Sequence, residues 1–195
     1  MLRHLWTAVR MLIVLTILTA GIYGAAVTGV AQAVFPYQAN GSLVRYQGHV
    51  IGSALVGQAF TSPKFFDSRP SATSPPYNAE ASTASNYGPT NPALIQEVKT
   101  NLQTFLKSNP GVTPGQVPPA MVESSDSGLD PDISLTAAYL QAPRVARENG
   151  LSLSTVRHLI AVNARGRFLG LYGNPYVNVL KLNLALLRDV KGHRP

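Results

Sequence analysis

From Met11 to Val44 the chain carries no charged side chain, and MLIVLTILTAGIYGAAVTGVAQA (11–33) is apolar or small almost throughout. As a helix this segment is about 35 Å long at ~1.5 Å per residue, enough to cross a hydrocarbon core of about 30 Å. A short leader of residues 1–10, a transmembrane helix over 11–34 and a domain over 36–195 follow as the expected organisation. Arg3, His4 and Arg10 precede the helix, so the positive-inside rule places the N-terminus in the cytoplasm and the domain outside. Ala31-Gln32-Ala33 fits a signal-peptidase pattern, but the apolar run exceeds the roughly 7–15 residues of a signal core, which favours an uncleaved anchor.

Composition fits an anchored domain. Charged residues make up 13% of the chain, against about 25% in soluble domains. The formal charge of +7 comes from basic residues scattered among the acids rather than from a basic run, a solvated surface and not a nucleic-acid footprint. There is no cysteine, which excludes disulfides and thiolate metal sites.

Inside the helix, Gly21, Ala25, Gly29 and Ala33 recur every four residues, with Ala20, Gly24 and Thr28 in a parallel row. Such rows let helix backbones approach closely in lipid, which makes Gly21, Gly24, Ala25 and Gly29 candidates for contact with a partner helix. Glycine and alanine are also common in membrane helices as mere composition.

Beyond the helix the pattern is α+β. LVRYQGHVIGSALVGQAF reads as a strand pair about Gln47-Gly48, and residues 61–91 as a long irregular segment. Asn91 and Pro92 supply an N-cap and first-turn proline for a helix that ends before Asn109-Pro110-Gly111. Ser134 caps a helix from Leu135 to about Asn149, which Pro143 should kink or break. Gly150 stops it, Ser152 or Ser154 caps the next, and YVNVLKLNLAL alternates like a buried strand with a short helical end.

Chemistry is sparse. The chain has neither a G-x-x-x-x-G-K-[ST] phosphate loop nor the D-K-T-G signature of P-type pumps, so it is not expected to hydrolyse ATP. His4, His49, His158 and His193 are far apart in sequence and no G-x-S-x-G elbow is present, so neither a metal nor a catalytic residue is assigned. Glu123, Asp126, Asp130 and Asp132 form the only acidic cluster, and Asp130-Pro131 reads as an Asx turn leading into a helix. Phe65-Phe66 before Asp67 and Arg69-Pro70 read as aromatic anchors beside an ion pair, in a core or on a docking surface.

The succession FFDSRPSA (65–72), Tyr77-Asn78, SNYGPTNPAL (85–94), SGLDPDIS (127–134), PRVAREN (143–149) and NPYVNVLKLNLAL (174–186) resembles the C subunit of the Kdp-type potassium-transporting ATPases. It departs from the family pattern at Thr83-Ala84, where a glycine pair is usual. The resemblance implies a single-pass protein of the cell inner (plasma) membrane, with its N-terminus cytoplasmic and the bulk of the chain outside. Its external domain would assemble with a channel-like potassium-binding subunit and a P-type catalytic subunit, the latter using ATP. Arg69, Pro70, Asn78, Ser85, Asn86, Gly88, Pro89, Thr90, Asn91 and Asp130 are then the expected partner-facing residues. The family is also credited with raising the nucleotide affinity of the catalytic subunit, which sits badly with a topology that leaves about ten residues on the cytoplasmic side. The opposing reading is a free-standing anchored enzyme or ligand-binding module.

Overall fold

The computed structural model describes residues 1–192, which fall into two compact units that meet in sequence at Leu43-Val44. In the first unit, α1 (Leu2–Thr16), a π-helical stretch (Ile17–Tyr23) and α2 (Gly24–Val34) form one helix of 33 residues. None of its apolar window is buried, and it is long and apolar enough to cross a membrane. It begins at Leu2 rather than Met11 because the leader is itself helix-competent. The Thr7 hydroxyl donates to Arg3 O, and the Arg10 guanidinium lies 4.9 Å from the centre of the Trp6 ring one turn earlier. Entry into the π-helical stretch coincides with Thr19 Oγ1 donating to Leu15 O at 2.7 Å, a back-bond that competes for a ladder acceptor. Phe35, with φ −130° and ψ 53°, ends the helix, and Pro36 opens a single further turn, α3 (Pro36–Ala39).

The second unit starts on a hairpin, β1 (Leu43–Tyr46) and β2 (His49–Ser53). Gln47 and Gly48 take φ of +50° and +83°, the left-handed pair that a tight two-residue hairpin turn requires. Irregular chain then runs to α4 (Pro92–Ser108), where Asn91 accepts from Ala93 N at 2.9 Å. Two 3₁₀ turns, Pro114–Gln116 and Pro119–Met121, carry the chain to β3 (Asp132–Ser134). Ser134 and Ser152 cap α5 (Leu135–Asn149) and α6 (Leu153–Asn163), and Gly150, at φ +67°, stops α5. After β4 (Ala164–Arg165) and β5 (Tyr176–Asn178) comes α7 (Val179–Gly192). The antiparallel sheet has the order β3-β5-β4, with Ile133 and Ala164 flanking Val177. The expected α+β class is what the elements form.

Two local readings are narrowed or corrected. Pro143 does not break α5, which runs through it as one element; the ring sits on the exposed face, and the carbonyl it leaves without a donor belongs to Tyr139, also exposed. YVNVLKLNLAL is only three residues of strand followed by a long helix. Asn178 Oδ1 accepts from Lys181 N and turns the chain, and Leu180, Leu182, Leu184 and Leu186 are all buried. A helix buried on a wide face shows the same alternation as a strand.

The core is Phe66, Val145, Val156, Ile160, Val177, Leu182 and Leu186 with their neighbours. A satellite cluster beneath the hairpin joins Val44 and Ala54 to Leu180 and Leu184. Polar side chains inside this core hold the irregular segment in place. Asn183 accepts from Phe66 N (2.8 Å) and donates to Phe66 O (3.0 Å), as a neighbouring strand would. Gln141 does the same for Asp67, accepting from its N–H (2.7 Å) and donating to its carbonyl (3.3 Å). Arg144, 3% exposed, donates to Asn109 Oδ1, the carbonyls of Pro63 and Phe65, Asp67 Oδ2 and Gln141 Oε1. Burial lowers the Arg144 pKa and raises that of Asp67, and each charge opposes the shift of the other. The anticipated ion pair beside the two phenylalanines therefore exists, but Asp67 pairs with Arg144 and not with Arg69.

Replacing Arg144 by Met should cost about 3–5 kcal/mol, because it strands a carboxylate and several buried acceptors. Arg147→Met, on the exposed face of the same helix, should change stability by under about 0.5 kcal/mol. Thermal melts of the full chain in mild detergent, followed by circular dichroism, check both.

Candidate functional site

The segment from Ser68 to Asn91 contains no helix or strand, so its backbone groups need partners from side chains or from other loops. Most of them come from within the segment and from residues 120–130. Ser71 Oγ donates to Gly128 O (2.6 Å) and accepts from Tyr77 N (3.0 Å). Thr73 Oγ1 donates to Pro75 O (2.9 Å) and accepts from Asn78 N (2.9 Å). Tyr77 reaches back to donate to Arg69 O. Burial, with the Asp67 charge adding to it, pushes the Tyr77 phenol up to about 12, so it remains a donor. Further along, Thr83 N and Ser82 Oγ both donate to Ser127 O.

Arg69 and Asp130 lock the base of this loop pair. Arg69 Nη1 lies 2.8 Å from Asp130 Oδ2, half-buried on both sides, and Arg69 Nε donates to Ala120 O. The other carboxylate oxygen of Asp130 accepts from Asp132 N, which is the Asx turn expected at Asp130-Pro131. Asp132 in turn accepts from Asn178 and is pushed up in pKa by burial. Two glycines permit the close approach. A side chain on Gly128, at φ +67°, would stand 2.8 Å from Thr83 O, and one on Gly57 would stand 2.6 Å from Asp130 O.

The result is a cleft of about 620 Å³ bounded by Pro70, Tyr77, Ser85, Tyr87, Glu97 and Ser124, among others. Of the sequence candidates, Pro70 and Ser85 line it, Arg69 and Asp130 line a separate hollow beside Leu55 and Leu129, and Asn78 donates its backbone N–H to Thr73 while its side-chain oxygen accepts from Glu80 N. Asn86, Gly88, Pro89 and Thr90 form an exposed rim, with Asn86 at φ +53°. Asn91 is occupied as the cap of α4. Gly21, Gly24, Ala25 and Gly29 lie in the other unit, on the π-helical stretch and α2. A Cβ added at Gly21, Gly24 or Gly29 meets nothing within 4 Å, so no contact inside this chain demands glycine there.

Sequence reasoning missed Ser71, Thr73, Tyr77 and Gly128. Their signal was the density of hydroxyls in a segment too long to be left without hydrogen-bond partners. Among the described residues no three of His, Asp and Glu come together as metal ligands. The acidic cluster is divided among other partners, with Asp130 on Arg69, Asp132 on Asn178, and Glu123 and Asp126 facing solvent. The hydroxyls of Ser71, Thr73 and Tyr77 in this loop pair are committed to backbone carbonyls.

Residues 5–188 match the family model KdpC, described as the c chain of the K⁺-transporting ATPase. The chain belongs to the KdpC family. It is 53% identical over 188 residues to the potassium-transporting ATPase KdpC subunit of Sorangium cellulosum, covering 95% of this chain and 98% of that one. It is 50% identical over 187 residues to the subunit of the same description from Methylococcus capsulatus, with the same two coverages. The counterpart from Caldanaerobacter subterraneus is 47% identical over 186 residues, 95% of each chain. This KdpC chain is thus an accessory subunit of a potassium-uptake complex, and the helix of its first unit is consistent with anchoring there.

Within KdpC, Gly128 and Gly88 are not equivalent. Gly128→Ala should cost about 1–3 kcal/mol, since it combines a left-handed φ with a collision against Thr83 O, and it should expose residues 73–91 to protease. Gly88→Ala, with open space and no positive φ, should leave both unchanged. Limited proteolysis alongside the thermal melt separates the two.

Proposed function

We propose that this chain is a non-catalytic accessory subunit that holds together a channel-like potassium-binding subunit and a P-type catalytic subunit, and caps the external ion entrance. In this reading it crosses the cell membrane once, N-terminus inside and domain outside. The observation that carries the reading is family membership combined with the charge pattern about the helix. Arg3 and Arg10 precede an uncharged stretch that ends only at Arg45, which the positive-inside rule reads as a cytoplasmic start. The missing phosphate loop and aspartyl-phosphate signature support leaving ATP to the catalytic subunit. The same topology speaks against direct contact between the second unit and nucleotide, which is cytoplasmic. A cross-braced loop pair with a rigid rim suits a cap, because an ordered surface has less entropy to lose on docking.

The chain has no cysteine, so a single Ser82→Cys at an exposed loop position reports topology against no background. It should react with an impermeant thiol reagent on intact cells. Labelling confined to lysed cells would overturn the orientation and reopen the nucleotide role.

The two rows of small residues in the helix support a partner helix there. Gly29→Leu would wedge apart backbones that pack closely, removing many contacts at once, whereas Leu15→Phe exchanges one large side chain for another. Recovery of the other subunits in mild detergent, normalised to the amount of this chain in the membrane, should drop several-fold for the first substitution only, about 1 kcal/mol or more. Equal recovery would assign assembly to the second unit.

A further inference from the structure

The connection between β4 and β5 is closed on itself. Phe168 N donates to Tyr172 O (2.8 Å), Tyr172 N to Phe168 O (3.0 Å) and Gly170 N to Arg167 O (3.1 Å). Leu169, Gly170 and Gly173 all take positive φ, which for Leu169 is a cost that the surrounding bonds must hold in place. A loop so defined ordinarily carries small polar residues. This one carries Phe168, Leu169, Leu171 and Tyr172, between 69% and 75% exposed. The residues that built the core left four large apolar side chains in water on a preformed tip.

We propose that this tip is an anchor that inserts into an apolar pocket of another subunit of the ATPase, a pocket rimmed by carboxylates or backbone carbonyls. The rim chemistry follows from charge. No Asp or Glu occurs between Glu148 and Asp189, while Arg165 and Arg167 flank the tip. Arg165 stands opposite Tyr176 across β4 and β5, so the two share a face of the sheet and extend the patch. A bilayer surface has the same broad complementarity, but two arginines contribute only about 2 kcal/mol toward an anionic membrane. Both cations flanking the tip are Arg rather than Lys, and Arg with aromatics and without Lys is the composition of protein interface cores.

The inference rests on the assembly reading above, and the test separates the two. With all subunits of the complex co-expressed, a photo-crosslinking residue at Leu169 should give an adduct with the mass of this chain plus another subunit. The same residue at Gln103, on the exposed side of α4, serves as the comparison. Phe168→Ser with Leu171→Ser, and separately Arg165→Glu with Arg167→Glu, should each lower recovery of the complex roughly tenfold. The melting temperature of the chain should stay the same, since none of these side chains is in the core. Adducts to lipid alone, or unchanged recovery in both double variants while the unmodified complex co-purifies, would overturn the anchor and leave the assembly reading standing. Failure of the unmodified chain to co-purify with any subunit would overturn both.

Discussion

The second unit depends on the guanidinium of Arg144. It sits where α5, the end of α4 and the Pro63–Asp67 segment converge, and its donors reach three backbone or side-chain acceptors on that segment, one at Asn109 and one on Gln141. An irregular chain cannot be buried unless its polar backbone groups are matched. Arg144, Gln141 and Asn183 match those of residues 63–67 much as a sheet edge would, and Phe66 is thereby driven to zero exposure in the core. Packing of Phe66 and polar satisfaction of its neighbours are one event. A buried charge held this way is costly to assemble and costlier to break, which favours a single arrangement of the segment over many near-equal ones.

From that fixed point the loops outward inherit their positions. Asp67 is held by Arg144. Two residues later Arg69 turns the other way to Asp130, and Tyr77 folds back on the Arg69 carbonyl. The cleft and its rim are thus tied to the core through a short run of chain, with Gly57 and Gly128 as the places where backbones come too close for any side chain. A surface that is to meet another protein without refolding benefits from such ties.

How much of this the sequence discloses depends on the range of the interaction. The long apolar helix, the Gln47-Gly48 hairpin, the Asn91, Ser134 and Ser152 caps and the Gly150 stop were all legible, because each is decided within a few residues. The Asx turn at Asp130 was legible for the same reason. The length of α7 was not, since a helix buried on a wide face and a buried strand write nearly the same pattern. Nor was the pairing of Asp67, whose partner lies 77 residues away. Gln141 and Asn183 do leave a trace, as polar side chains on otherwise apolar helix faces, but the trace says only that a partner exists.

The apolar tip at Phe168–Tyr172 belongs to a third category, legible as composition and unreadable as exposure. In the sequence, RFLGLY could equally be a core strand. Only the closed hydrogen-bonding of the turn shows that these side chains have nowhere inside the chain to go. Large apolar groups scattered singly on a surface need no explanation, whereas four on one rigid turn do. Water is a poor neighbour for them at about 25 cal/mol per Å² of apolar surface. Under the proposed anchoring, the free energy left unrealised by this chain alone would be recovered on assembly, and the same four side chains would be exposed in the free chain and buried in the complex.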